Sequence, residues 1–218
     1  MIGLIAEGKT DVVVIKQILA AHLKIDTNEI RSFRPDDFID ETDKFSQGVN
    51  TFSNWTIVKE ECQKKEVMKV FFDDIADSSF FIIHIDADRA FEEGYNGSKP
   101  QKSKDPAYCQ ELREAVYCRI HVWLGPHTMK IAYAIAVEET EAWILPMHSN
   151  VTNSDLISDP KRALRGSAAY SKLRGKKEPV KYLELSKPIK KYKNMLLCQK
   201  ASYSLTEFLA EVDEQLID

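Results

Sequence analysis

The chain has 218 residues and a mass of 24.9 kDa, enough for one large domain or a domain with a small appendage. Hydrophobic residues make up 44% and charged residues 29%, a balance typical of folded globular proteins and not of disordered chains. No apolar run approaches the roughly 18 residues of a membrane span. We also expect no signal peptide, because charged residues follow the first apolar run at once.

The net charge of −4 conceals an uneven distribution. Residues 161–200 contain thirteen Lys or Arg against two acidic residues, a net charge of +11, whereas 201–218 carry −5 and 1–160 carry −10. Such a basic flank could follow a phosphate backbone, although a solvated basic face is the alternative. The candidate nucleic-acid-binding residues in this flank are Lys161, Arg162, Arg165, Lys172, Arg174, Lys176 and Lys177.

The first third of the chain predicts two strands and a helix. Residues 2–6 form an apolar run that indicates the first strand, and a helix follows at once, with Thr10 or Asp11 as its cap. Residues 30–33 are predicted to form the second strand, because the proline that follows disfavours helix before it. Residues 36–50 are polar and acidic, and we expect a loop there.

The middle of the chain predicts two further strands. Residues 56–75 fit a helix, and 80–85 form a continuous apolar run of the kind that is buried on both faces of a parallel sheet. Residues 94–106 have the composition of a loop. Residues 106–124 repeat apolar side chains at helical spacing, and 130–137 form another strong strand.

Helices are predicted for most of the remaining chain. A helix is expected from residue 138 to 145, where Pro146 stops it, and 149–175 is expected to be irregular or to contain short helices. Ser204 and Glu207 have the spacing of a capping box at the start of a final amphipathic helix.

Strands that alternate with helices indicate an α/β fold with a largely parallel sheet flanked by helices. We expect an α/β domain over residues 1–148. A basic, mostly helical C-terminal extension over 149–218 is expected to pack on this domain or beside it.

Acidic residues follow three of the four predicted strands. Functional sites in open α/β sheets form at the carboxyl ends of strands, and parallel neighbours bring these ends to one edge. Asp86 and Asp88, two apart in extended chain, should point to the same side. Glu138 and Glu141, three apart on a helix, should share a face. In this order along the chain, the acids are Glu7, then Asp86 and Asp88, then Glu138, Glu139 and Glu141.

Carboxylates this close repel one another by about 3 kcal/mol per pair at 5–6 Å and an effective dielectric of 20. Protonation, a nearby Lys or Arg, or a divalent cation can relieve the repulsion. Oxygen ligands without a Cys or His set favour Mg²⁺, for which Mn²⁺ or Ca²⁺ can substitute, and two such ions would support phosphodiester displacement. Taken singly, the acids could instead be a surface turn and a favourable first helical turn.

Two of these segments resemble the Toprim domain, which topoisomerases, primases, the OLD (overcoming lysogenization defect) nucleases and small ribosomal-RNA maturases share. Residues 5–11 read IAEGKTD and 83–88 read IHIDAD, similar to the strand-end Glu-Gly and the later Asp-x-Asp of that domain. Residues 135–143 read IAVEETEAW, which resembles the Glu-x-x-Glu-Ala-Trp element of a small bacterial family close to the OLD nucleases. In outline, the resemblance covers residues 1–148.

The resemblance implies a role for each matching residue. Glu7 would be a metal ligand or general acid/base, and Asp86 and Asp88 would be Mg²⁺ ligands. Glu138 and Glu141 would resemble the additional acidic residues of the OLD-like group, which serve a second ion.

Other features of the family are open or missing in this sequence. Glu139 is an alternative to Glu138 as the ligand, and the motifs do not place a catalytic lysine, for which Lys172 and Lys176 of the basic flank are candidates. The chain has no topoisomerase tyrosine domain, no primase-type zinc module and no GxxxxGK[ST] motif. An ATPase, if one is needed, would be a partner chain.

The sequence therefore predicts a Mg²⁺-dependent nuclease that acts on DNA or RNA. The alternatives are a nucleic-acid-binding or partner-binding subunit without activity, and phosphoryl chemistry on a small nucleotide. The cysteines at 62, 109, 118 and 198 form no CxxC pair, and we interpret them as reduced thiols of a cytoplasmic protein.

Overall fold

The structure is a computed structural model that describes residues 1–35, 55–74, 79–89, 100–103 and 105–217. Within these residues, four strands form one sheet in the order β2-β1-β3-β4, and all three pairings are parallel. The fold is therefore α/β with a parallel sheet, as the sequence predicts. The strands are β1 (Ile2–Ile5), β2 (Ile30–Arg34), β3 (Phe80–Asp86) and β4 (Ile131–Ala136).

Helices cover both faces of the sheet. The helices are α1 (Lys9–Leu23), α2 (Trp55–Lys64), α3 (Glu66–Asp74), α4 (Ala107–Leu124), α5 (Glu141–Ile144), α6 (Pro160–Arg165), α7 (Ala168–Ser171), α8 (Glu178–Ser186), α9 (Tyr192–Ala201) and α10 (Tyr203–Glu214). Short 3₁₀ turns occur at Thr27–Glu29, Ala87–Arg89, Leu145–Met147, Ser154–Leu156 and Lys187–Lys190. In the described part of the chain, no helix combines the length and the apolar character needed to cross a membrane.

The continuous apolar strands are buried on both faces because alternate side chains enter two different hydrophobic clusters. Leu4 and Ile82 belong to one cluster, together with α1 and the C-terminal helices. Ile5 and Ile83 belong to the other, together with α2, α3 and α4. This double covering explains why β1 and β3 read as unbroken apolar runs rather than as alternating ones.

The C-terminal helices share the core of the sheet. The backbone N–H of Tyr133, on the edge strand β4, donates to Glu211 Oε2 of α10 at 2.7 Å. The N–H of Val137 donates to Ser204 Oγ at 3.4 Å. Side chains of α10 thus satisfy backbone groups that an edge strand would otherwise leave unpaired.

Several predicted helix ends are wrong. The helix expected over 56–75 is two helices, separated at Lys65, whose φ of 60° breaks the helical path. Ser202, not Ser204, caps α10, and its side chain accepts the N–H of Leu205. Ser204 instead accepts the indole N–H of Trp143 at 2.8 Å. The predicted loop over 36–50 and most of that over 94–106 lie outside the described residues.

Two further corrections concern the segments that carry acids. Gly8 is the N-cap of α1 and makes no side-chain cap bond, so neither Thr10 nor Asp11 caps this helix. The helix expected to start at residue 138 begins at Glu141, because Glu138 has a φ of 62°. Glu138 and Glu141 therefore do not share a helical face.

Candidate metal centre

The ends of β1 and β3 meet at one edge of the sheet. The two strands are parallel neighbours in register from Ile2↔Phe80 to Ile5↔Ile83. Glu7 Oε1 accepts the backbone N–H of Asp86 at 2.9 Å. The structure thus brings together the two strand-end acids that the sequence predicts to converge.

A cavity of about 190 Å³ opens at this edge. We call it the acidic pocket. It collects four carboxylates from the segment after β1, the first turn of α1, the end of β3 and the turn after β3, with Glu139 and one lysine on its other side. Its lining residues are Glu7, Gly8, Thr10, Asp11, Asp86, Asp88, Arg89, Glu139 and Lys161.

Asp88 reaches the pocket by a route that the sequence did not predict. It lies in the 3₁₀ turn Ala87–Arg89 and not in extended chain, so strand alternation does not determine its direction. Its backbone N–H donates to the carbonyl of Glu138 at 2.9 Å. Asp88 therefore lies at the exposed rim of the pocket, whereas Asp86 lies deeper.

Asp11 is a member of the pocket that the sequence analysis missed. It lies in the first turn of α1 and is buried. A Cβ at Gly8 would lie 2.8 Å from Asp11 Oδ2, so the absence of a side chain at Gly8 makes room for this carboxylate. The signal in the sequence was helical spacing, because Asp11, Ile15 and Ile18 form one stripe of α1 and an inward stripe can include an acid.

The three acids after β4 take three different positions. Glu138 Oε1 accepts the hydroxyl of Tyr108 at 3.1 Å and the ammonium of Lys102 at 2.5 Å, and Glu138 does not line the acidic pocket. Glu139 lines the pocket. Glu141 is buried, with 1% of its surface exposed, and its Oε1 accepts the hydroxyl of Tyr182.

Lys161 supplies positive charge to the acidic pocket. Its Nζ lies 3.7 Å from Glu141 Oε1, and its backbone N–H donates to Glu139 Oε2 at 3.0 Å. Although burial alone favours the neutral amine, the carboxylates of Glu141 and Glu139 raise the pKa of Lys161. Lys172 and Lys176, by contrast, are exposed and do not line the pocket.

Asp86 is held firmly at the centre of these groups. Its Oδ1 accepts the backbone N–H of Thr140 at 2.9 Å and the Thr140 hydroxyl at 2.7 Å. His84 Nε2 lies 3.2 Å from the same oxygen and 2.7 Å from Thr140 Oγ1. Such partners fix the direction of a carboxylate in the way that outer-shell residues orient metal ligands.

The pocket carries more negative charge than its surroundings neutralise. Burial, and then the charge of Asp86, raises the pKa of Glu7 and of Asp11 well above the usual carboxyl range. Partial desolvation, and then Asp86, raises the pKa of Asp88 to about 6. Desolvation raises the pKa of Glu139 to about 7. A site that disfavours ionised carboxylates in this way is stabilised when a cation enters.

The donor set fits a hard divalent cation in its chemistry. The acidic side chains that line the pocket offer carboxylate oxygen atoms, the ligands that Mg²⁺ and Ca²⁺ prefer. In the observed conformation, no group of three or more His, Cys, Asp or Glu side chains among the described residues is arranged to hold a metal ion. The oxygens of Glu7 and Asp86 instead accept hydrogen bonds from the protein.

Tyr182 ties the C-terminal extension to this centre, and its removal should destabilise the protein. Tyr182→Phe leaves both oxygens of the buried Glu141 without a hydroxyl donor, so we expect the free energy of unfolding to fall by about 1–3 kcal/mol. Urea denaturation measures this change. The matched control is Tyr170→Phe, which removes a hydroxyl from the partly exposed Glu178 and should cost less than about 1 kcal/mol. Equal losses in the two variants would contradict the assigned role of Tyr182.

A larger cavity of about 490 Å³ adjoins the acidic pocket. We call it the basic cavity, and its lining residues are Asp88, Glu139, Ser158, Asp159, Lys161, Arg162 and Arg165. Three of the seven candidate nucleic-acid-binding residues therefore line one cavity. The other four, Lys172, Arg174, Lys176 and Lys177, are exposed and line neither cavity.

Comparisons with protein-family models, with curated proteins and with solved structures find no match to this chain. The structure defines the class of protein: an α/β fold whose four-strand parallel sheet is flanked by helices and followed by C-terminal helices.

Proposed function

We propose that the protein is a Mg²⁺-dependent nuclease of the Toprim type that cleaves phosphodiester bonds in DNA or RNA. The observation that carries this proposal is the contact of Glu7 with the backbone of Asp86, which joins the strand-end Glu-Gly to the Asp-x-Asp at one sheet edge. This is the arrangement that the Toprim resemblance implies. The basic cavity beside it supports a polyanionic substrate.

The metal would be held by carboxylates on the two sides of the acidic pocket. Glu7, Asp11, Asp86 and Asp88 are the candidates on the side of β1 and β3, and Glu139 replaces Glu138 on the other side because it lines the pocket. A bound Mg²⁺ or Mn²⁺ supplies activation of water and neutralisation of charge at the phosphate.

The residues of the chain itself would position the phosphate and transfer protons. Burial raises the pKa of Glu7, which favours a role for this carboxyl group in proton transfer. Lys161 faces the same pocket and can neutralise charge that develops on phosphate oxygens. We therefore propose Lys161, and not Lys172, as the lysine that the resemblance leads us to expect.

Purified protein tests this proposal directly. We expect cleavage of plasmid, linear duplex, single-stranded DNA or RNA with Mg²⁺ or Mn²⁺, and none after chelation. Activity on mononucleotides but not on polymers would favour small-nucleotide chemistry. Activity that survives chelation, or no cleavage of any polymer with either ion, would refute the nuclease.

A non-catalytic nucleic-acid- or partner-binding subunit is the second candidate. The observation that favours it is the hydrogen bonding of Glu7 and Asp86 within the protein, with Lys161 already providing a positive charge. Salt-dependent binding without metal-dependent turnover would support it.

The chain has no GxxxxGK[ST] motif, so an ATPase would come from a partner chain. The cysteines make no disulfide, which supports a cytoplasmic location.

A further inference from the structure

The acidic pocket and the basic cavity form neighbouring parts of one groove. They share three lining residues, Asp88, Glu139 and Lys161. Beyond these, the basic cavity is lined by α6 and by the residues that precede it. A ligand in the acidic pocket thus has a direct route along the groove to the guanidinium groups of α6.

The guanidinium groups on α6 are available for a ligand. Arg162 is exposed, and its side chain makes no ion pair or hydrogen bond with the described residues; its backbone N–H donates to Asp159 Oδ1 at 2.8 Å. Arg165 lies 3.9 Å from Glu178, and 47% of its side chain is exposed. Neither guanidinium is therefore neutralised by a tight partner.

The size of the basic cavity exceeds what one phosphate group requires. Its volume of about 490 Å³ falls within the roughly 300–1,000 Å³ of sites that hold organic ligands. Planar guanidinium groups bind phosphate oxygens in two-point contacts, which a lysine does not make. The acids of the neighbouring pocket repel an approaching phosphate backbone, so nearby cations are needed to hold it.

We propose that the basic cavity binds the nucleotide next to the cleaved bond, with Arg162 and Arg165 on its phosphate. The inference rests on the proposed function and deepens it, because the substrate is then a nucleic-acid strand with a phosphate on each side of a nucleotide. The other four candidate residues, Lys172, Arg174, Lys176 and Lys177, are exposed and lie outside this cavity.

Paired charge removals test this assignment. The variant Arg162→Gln/Arg165→Gln removes two charges from the cavity, and the control Lys172→Gln/Arg174→Gln removes two from the same flank outside it. Binding of a labelled single-stranded DNA or RNA oligonucleotide, without metal, is followed by fluorescence anisotropy across a salt series. Thermal unfolding checks that both variants fold.

We expect the cavity variant to bind about tenfold more weakly, because charge-assisted contacts are lost. Its slope of log K against log salt should become shallower by about 0.7 for each lost phosphate contact. The control should change affinity less than about threefold at physiological salt, because the solution screens charges that lie more than about 8 Å from the ligand. Equal effects in both variants, or no effect in either, would overturn the assignment.

A substrate with a single phosphate separates this inference from the nuclease proposal. Bis(p-nitrophenyl) phosphate has one diester and no neighbouring phosphate, so in the cavity variant with Mn²⁺ we expect KM for polymer to rise about tenfold and the loss on this small substrate to be at most about threefold. An unchanged polymer KM would refute the cavity and leave the nuclease intact. A different outcome would support the cavity and refute the nuclease. In it, the cavity variant alone loses binding, and the wild-type protein hydrolyses neither substrate.

Discussion

Asp86→Asn should abolish metal-dependent cleavage and, at the same time, stabilise the metal-free protein. The amide keeps the oxygen that accepts the N–H and hydroxyl of Thr140, so the local fold should survive. Removing the negative charge costs a metal ligand worth several kcal/mol at the transition state, and we expect turnover to fall about 10³-fold. Burial is the largest cause of the raised pKa values of Glu7, Asp11 and Asp88, and the charge of Asp86 is the second. The substitution removes this second cause.

Turnover and urea denaturation in chelator measure the two effects side by side. We expect the free energy of unfolding of Asp86→Asn to rise by about 1 kcal/mol, because close like charges repel by a few kcal/mol at most in this setting. Asp105→Asn is the matched control, since Asp105 also accepts a backbone N–H, that of Ala107 at 3.0 Å, but lines neither cavity. Cleavage by Asp86→Asn within tenfold of wild type would refute the metal centre.

A gain in stability together with a loss of activity would distinguish this centre from an ordinary turn. Asp86 and Asp88 in a solvated surface turn would change neither property much when neutralised, because water screens exposed charges. A carboxylate cluster that binds a cation trades stability of the empty protein for function. The sign of the stability change in Asp86→Asn therefore tests what the cluster is for.

The parts of the fold that the sequence predicts are those fixed by local pattern. Strands β3 and β4 are long apolar runs that only a doubly covered sheet accommodates. The contact between Glu7 and Asp86 follows from a general rule, because neighbouring parallel strands end at the same edge. Neither prediction required knowledge of how the side chains pack.

The rest of the candidate site depends on tertiary packing and backbone conformation. The left-handed φ of Glu138 turns its carboxylate toward Tyr108 and allows Glu139 to line the pocket, a choice that spacing alone leaves open. Asp11 has the residue type of a helix cap, yet it lies inside the first turn of α1 and is buried. Lys161 reaches the pocket only because the extension folds back on the sheet, which no local pattern encodes.

Without metal, we expect the acidic pocket to make the protein less stable as the pH rises from about 4 to about 7. Unfolded Asp and Glu titrate near 3.9 and 4.3, whereas the pKa of Asp88 is raised to about 6 and that of Glu139 to about 7 in the folded protein. Between these limits the folded state binds more protons than the unfolded state, so the free energy of unfolding falls with pH. Urea denaturation gives the free energy of unfolding of the wild type and of Asp86→Asn at each pH. The difference between the two isolates the contribution of the acidic pocket from that of the other carboxylates.

Mg²⁺ should reverse this pH dependence because it competes with the bound protons. A raised carboxyl pKa means that an ion entering the pocket displaces protons, and each proton displaced makes the apparent affinity rise about tenfold per pH unit. From about pH 5 to about pH 7, we therefore expect calorimetric Mg²⁺ affinity to increase at least about tenfold, because the proton of Asp88, whose pKa is raised to about 6, is displaced over the lower half of this range. Titrations in two buffers of different ionisation enthalpy count the protons released. A Mg²⁺ affinity that is independent of pH over this range would mean that the ion binds elsewhere, because Asp88 and Glu139, whose pKa values are raised to about 6 and about 7, would have to lose protons to receive it.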